Sequence, residues 1–229
     1  MQPDLQILNG TTQLATSQQK VLRNTYMMLG LTMIPTVIGA WIGVNIHFVF
    51  MAQHPILAVL GMLAVMFAMF MGIAANRNNA LGVVLLLAAT GFLGLMLGPI
   101  LQAALHFRNG AQIIGMAAGG TGAIFLTLST IATVSKRDFS FMGKFLFVGL
   151  VMLILASFAN MFFHVPAAAL AISAIAILIF AGYLLYDISR VIHGGETNYV
   201  MATLSIYLDI YNIFINLLSL LMALTGERN

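Results

Sequence analysis

The sequence predicts an all-α, polytopic membrane protein of seven transmembrane helices, with the last helix enclosed by the other six. Three observations carry this. Only 7% of the 229 residues are charged and 61% are hydrophobic, whereas soluble domains carry about 25% charged residues. Apolar runs of bilayer-crossing length recur between short polar breaks. The last of these runs, Tyr199–Leu224, gathers an aspartate, two asparagines and two serines on one face.

Taken in order, residues 1–24 are polar, rich in Gln and Thr, and end in Lys20 and Arg23. They read as a flexible cytoplasmic tail ahead of a single seven-helix domain, 25–229. The first apolar run is too long for a signal peptide and has no small-residue cleavage site. It is an uncleaved span, Thr25–Ile46, with a kink expected at Pro35. Pro55–Ala75 is the second span, closed by Asn76-Arg77-Asn78-Asn79. Ala80–Ala104 is the third, with Pro99 near its end. Ala111–Val134 is the fourth, Phe141–Phe163 the fifth, and the sixth follows Pro166 and ends near Ile192.

Charge orients the bundle. With the N-terminus inside, Lys20, Arg23, Arg77, Lys136, Arg137, Lys144 and Arg190 face the cytoplasm, and only Arg108 and Arg228 lie outside. Such a bias marks cytoplasmic loops, and seven spans leave the C-terminus in the periplasm. The net charge of +3 is too small to suggest nucleic-acid binding. No cysteine is present, which excludes thiol catalysis, disulfides and cysteine metal sites. Gly94 with Gly98, and Gly115 with Gly119, have the spacing of close helix contacts. The run Gly119–Gly122 lacks the lysine of a phosphate loop and sits in mid-span, so it also reads as packing.

Chemistry concentrates in the last two spans. At roughly 100° per residue, Ser205, Asp209, Asn212, Asn216 and Ser219 fall within an arc of about 80°. Hydrocarbon offers such a seam no hydrogen bonds, so it must face protein or water. Asp187 lies near the end of the sixth span, with Arg190 one turn later. The two form either a local helix-end ion pair or one arm of a larger site. Asp187 and Asp209 are 22 residues apart and symmetric about Asn198. A turn centred there puts them level. A turn centred on Glu196 separates them by about 6 Å in depth. Carboxyls that meet in a low dielectric share a proton, which makes a natural pH switch. His47, His54, His106 and His164 fall near the outer face. No two have ligand spacing on one helix, so they read as interfacial polar residues rather than a metal ring.

An aspartate on each of two adjacent spans is also the plan of an intramembrane aspartyl protease. Here the second site reads Ile206-Tyr207-Leu208-Asp209, without the glycines of the required GxGD, and no Pro-Ala-Leu follows. No serine or zinc protease motif is present. The reading is of a protein that is not an enzyme and has no cofactor.

The segments VLRNTY (Val21–Tyr26), TGFLGLMLGPIL (Thr90–Leu101), FSFMG (Phe139–Gly143), LLYDISRVIHGGETNY (Leu184–Tyr199) and SIYLDIYNIFINLLSLL (Ser205–Leu221) resemble the Bax inhibitor-1 family, in its bacterial YccA-type branch. The resemblance covers nearly the whole chain from Lys20. It implies a compact bundle around the last helix, a bacterial inner-membrane location and modulation of the membrane-anchored FtsH protease, a AAA enzyme. Other members of the family are pH-sensitive calcium leak channels. For these it implies that Asp187 and Asp209 form the pH sensor and ion path, with calcium as the transported ion beside them. Their closing latch implies Arg77 as partner, with Asn76 the alternative in register. Regulator and leak channel remain the two functional readings.

Overall fold

The computed structural model describes residues 3–46, 53–135 and 137–226. His47, Lys136 and Arg228, which entered the histidine and charge readings above, lie outside the described residues. Among the described residues the elements are all helical: α1 (Pro3–Asn45), α2 (Pro55–Ala75), α3 (Ala80–Met96), α4 (Gly98–Leu105), α5 (Gly110–Val134), α6 (Gly143–Phe163), α7 (Pro166–Ile192) and α8 (Tyr199–Thr225), with one 3-10 turn at Ser140–Met142. Among the described residues, seven spans are long and apolar enough to cross a membrane, α3 and α4 together making the third. The tail expected over residues 1–24 does not end where the first span begins. From Pro3 onward it is drawn into the same helix as that span.

Backbone contact between α1 and α3 anchors the bundle. A Cβ on Gly39 would collide with the Gly91 carbonyl, and one on Gly94 with the Thr36 carbonyl. Small residues thus let two backbones touch where the hydrophobic effect supplies no force between helices. Pro99 explains the break between α3 and α4. Lacking an N–H, it cannot donate to the Leu95 carbonyl as the next residue of a continuous helix would. That carbonyl instead accepts from the backbone of the α3 cap, and Gly43 of α1 packs against it. The end of α1 is closed from α4. Gln102 Nε2 donates to the carbonyls of Gly43, Val44 and Ile46 at 3.1, 2.9 and 2.8 Å.

The last helix is fixed to this pair by two tyrosines. The Tyr207 hydroxyl and Thr36 Oγ1 are 2.8 Å apart, and Tyr211 Oη donates to the Leu93 carbonyl at 3.0 Å. Their rings stack at 6.1 Å. In hydrocarbon such bonds have no water to compete with. Among the described residues α8 packs on α1, α2, α3, α4, α5 and α7, but α6 leans only on α7 and the 3-10 turn. The last helix therefore touches five of the six other spans, and the fifth span stands to one side.

The two glycine pairs behave differently. Gly94 packs as its spacing predicts, and Gly98 Cα meets Gly43. Gly115 and Gly119 do not pack: among the described residues nothing lies within 4 Å of a Cβ placed on either. The core-facing stripe of α5 is instead Ile113, Ala117 and Thr121, on the other side of the helix, and in the glycine run it is Gly120 that faces α8, at Leu217.

Candidate functional site

The hairpin α7–α8 decides where the two aspartates stand. Gly194, at φ 78°, takes the left-handed conformation that ends α7. The amides of Gly195 and Glu196 then both donate to the Arg190 carbonyl, at 2.8 and 3.2 Å. Asn198 starts α8 by accepting from the amides of Val200 and Met201 at 3.0 and 3.1 Å. Because Tyr207 is held by α1 and α3, Asp209 points about 200° away from them, toward α7.

There the carboxyls of Asp187 and Asp209 come within hydrogen-bonding reach of one another. Two carboxylates have no donor between them, so this contact needs a proton on one. Asp209 is 5% exposed, and its Oδ2 is sealed from solvent with no protein partner among the described residues. Asp187 is nearer the surface, its side chain 13% exposed. The Arg190 guanidinium lies beside it, with Nη1 4.0 Å from Asp187 Oδ1. Arg190 is anchored twice more: Nη2 donates to the Gly195 carbonyl at 3.0 Å, and its charge sits 5.6 Å from the Tyr186 ring centroid. The local ion pair and the carboxyl pair, alternatives in the sequence, are thus two halves of one cluster.

Arg77 is not brought to Asp187. Its side chain is exposed beyond the end of α2, and its carbonyl accepts from Asn198 Nδ2 at 2.9 Å. Asn76 turns back on its own helix, donating to the Gly72 carbonyl at 2.9 Å. Ser205, Asn212, Asn216 and Ser219 continue the face of Asp209 but are only half-buried. Asn212 and Asn216 look toward the side where α6 stands off. Among the described residues no three His, Asp or Glu side chains converge as metal donors. The pair offers a passing calcium ion fewer oxygens than the six to eight it prefers.

Two members of the cluster escaped the sequence reading. Tyr183, one turn before Asp187, stands near both carboxyl groups, and Glu196 adds its charge from the turn. Helical spacing from Asp187 was the signal for the first; nothing local marked the second.

Outside the membrane, the turn between α5 and α6 docks on the end of α7. The Phe139 amide donates to Ser189 Oγ at 2.9 Å, and Ser140 N–H to Asp138 Oδ1 at 2.8 Å. The Ser140 hydrogen bonds, with His193 nearby, hold the Asp138 carboxyl below its usual range.

The family profile described as "Inhibitor of apoptosis-promoting Bax1" (Bax1-I) matches residues 18–226. The chain is 42% identical over 207 residues, 90% of both chains, to "Modulator of FtsH protease YccA" of Escherichia coli K12. It shares the same identity and coverage with "Inner membrane protein YccA" of Escherichia coli O6:H1. It is 41% identical over 202 residues, 88% of both chains, to a membrane protein of Vibrio cholerae.

Proposed function

The chain belongs to the Bax1-I family, and from that premise we propose that it is a non-enzymatic modulator of an FtsH-type protease in the inner membrane, with its N-terminus in the cytoplasm. The observation that carries this reading is the 42% identity, over 90% of both chains, to the protein named for that activity. Lysine and arginine gathered at the end of the bundle that holds the 76–79 and 193–198 turns support the orientation. The test is turnover. In cells carrying the protease, overproduction should lengthen the half-life of a membrane protein that the protease degrades, and deletion should shorten it. Half-lives unchanged in both directions would overturn the reading.

The carboxyl pair favours a second reading, a pH-sensitive cation leak with calcium as the ion carried. One proton shared between Asp187 and Asp209 leaves a single negative charge, faced by Arg190, with Glu196 and Tyr183 as the other ionisable neighbours. Acid adds the second proton, removes the charge that holds Arg190, and loosens the basic end of the hairpin. Calcium flux from proteoliposomes should then rise as pH falls, and Asp209→Asn should blunt that rise. Flux that is absent across the pH series rules the leak out and leaves the modulator reading untouched.

A further inference from the structure

Because α6 leans only on α7, a cleft of about 350 Å³ opens between α6, α7 and the polar face of α8. Ser157 and Phe158 of α6, Ala176 and Phe180 of α7, and Asn212 and Asn216 of α8 line it, with aliphatic and Met side chains completing the wall. Its size is that of a small-molecule site, and so is its character, apolar walls around a few convergent polar groups.

The polar groups are not used up by the protein. Asn212 Nδ2 donates to the Leu208 carbonyl, and Asn216 Nδ2 to the Asn212 carbonyl, each at 2.8 Å. A carboxamide has two N–H donors and an acceptor oxygen. Among the described residues each side chain therefore keeps one donor and its oxygen for something else. Asn212 stands midway along α8, thirteen residues from Tyr199 and from Thr225. That is about 20 Å from either end and so near the middle of the hydrocarbon. At that depth alkyl chains offer no hydrogen bonds, and an unmet amide costs several kcal/mol at roughly the upper end of transfer scales.

Depth and charge define the ligand. No charged side chain lines the cleft, so neither a phosphate headgroup nor a metal ion is matched there. A headgroup also belongs at the interface, far above Asn212. We propose that the cleft binds a neutral, bilayer-dissolved molecule carrying a carbonyl or hydroxyl group at mid-membrane depth, held by Asn212 and Asn216. Two sources share this chemistry: the ring of a lipid quinone, and an acyl chain oxygenated in its middle. The Phe158 and Phe180 rings beside the amides suit either.

The experiment places the intact protein in phospholipid nanodiscs with three photoreactive probes. One is a plain alkyl chain, one the same chain with a mid-chain keto group, and one a short-chain benzoquinone. Labelled peptides are mapped by mass spectrometry. One good hydrogen bond is worth about fivefold in occupancy, so an oxygenated probe should label the α6 and α8 walls about fivefold more than the alkyl probe. Which of the two dominates identifies the source. In Asn212→Leu/Asn216→Leu the preference should vanish while alkyl labelling persists. Ser157→Phe fills the cleft from an exposed position of α6 and leaves every residue of α8 unchanged, and should reduce oxygenated labelling if the double variant fails to fold. Equal labelling by all three probes, or a preference that survives either variant, overturns the proposal.

Discussion

Asn198 joins two turns that are far apart in sequence. Its Nδ2 donates to the Arg77 carbonyl at 2.9 Å and to Asn78 Oδ1 at 2.9 Å, while its Oδ1 caps α8. One side chain thus starts the last helix and ties it to the turn after the second span. Replacing it by Ala removes both functions. The expected cost is about 1–2 kcal/mol, read as a lower unfolding temperature in detergent. Asn198→Asp keeps the cap and loses the two donated bonds, so it should fall between Ala and wild type.

Gly94 and Gly119 make a matched test of helix contact. Gly94→Ala drives a methyl into the Thr36 carbonyl and should cost about 1–3 kcal/mol as an overpacking change. Gly119→Ala meets open space and should leave stability unchanged within about 0.5 kcal/mol or raise it slightly. Thermal unfolding of the two variants beside wild type reads the difference.

Arg190, rather than Arg77, is the cation beside the carboxyl pair. On the leak reading, Arg190→Gln should raise calcium flux at neutral pH toward its acid level, and Asp187→Asn should do the same. Arg77→Gln should match wild type. The fold should survive, since a partly exposed pair of this kind contributes at most about 1 kcal/mol. A pH profile of Arg77→Gln that shifts while that of Arg190→Gln does not would return the latch to the second span.

Asp138 titrates in a different range from any response near neutrality. Its folded value is depressed by the Ser140 hydrogen bonds. Its contribution to docking of the 137–142 turn is therefore present above the ordinary carboxylate value of about 3.9 and is lost only as pH falls through the lower folded value. Carbon-13 carboxyl NMR should put its midpoint below the ordinary value. Asp138→Asn should leave any pH response of flux between pH 5 and pH 7, a range above about 3.9, as it was.

On the modulator reading, the tail serves as a handle for the protease. Trimming residues 1–19 should lengthen the protein's own half-life in cells that contain the protease, with little change in its unfolding temperature. Equal half-lives of full-length and trimmed protein would count against the handle.

The number of spans, and their limits apart from the start of the first, were legible in the sequence because bilayer thickness sets the length of an apolar run and polar residues mark the turns. The burial of Asp209 was legible for a similar reason: hydrocarbon offers a carboxyl no hydrogen bonds, so its face of the helix turns inward. The turn that brings the last two helices antiparallel was legible too, with Asn198 and Glu196 as its alternative centres. What faces what was decided by tertiary structure. The spacing of Gly94 and of Gly119 is alike in sequence, yet only Gly94 meets a neighbour, because the rotation of α5 is set by Ile113, Ala117 and Thr121. The half-burial of Asn212 and Asn216 depends on α6 standing aside, which no residue of α8 encodes. The choice of Arg190 over Arg77 depends on the left-handed Gly194 and the Asn198 bridge, which fix the end of α7 beside the carboxyls and leave only the backbone of Arg77 in contact. Periodicity identifies a helix and its polar face, but the rotation of each helix against the others is a property of all the contacts at once.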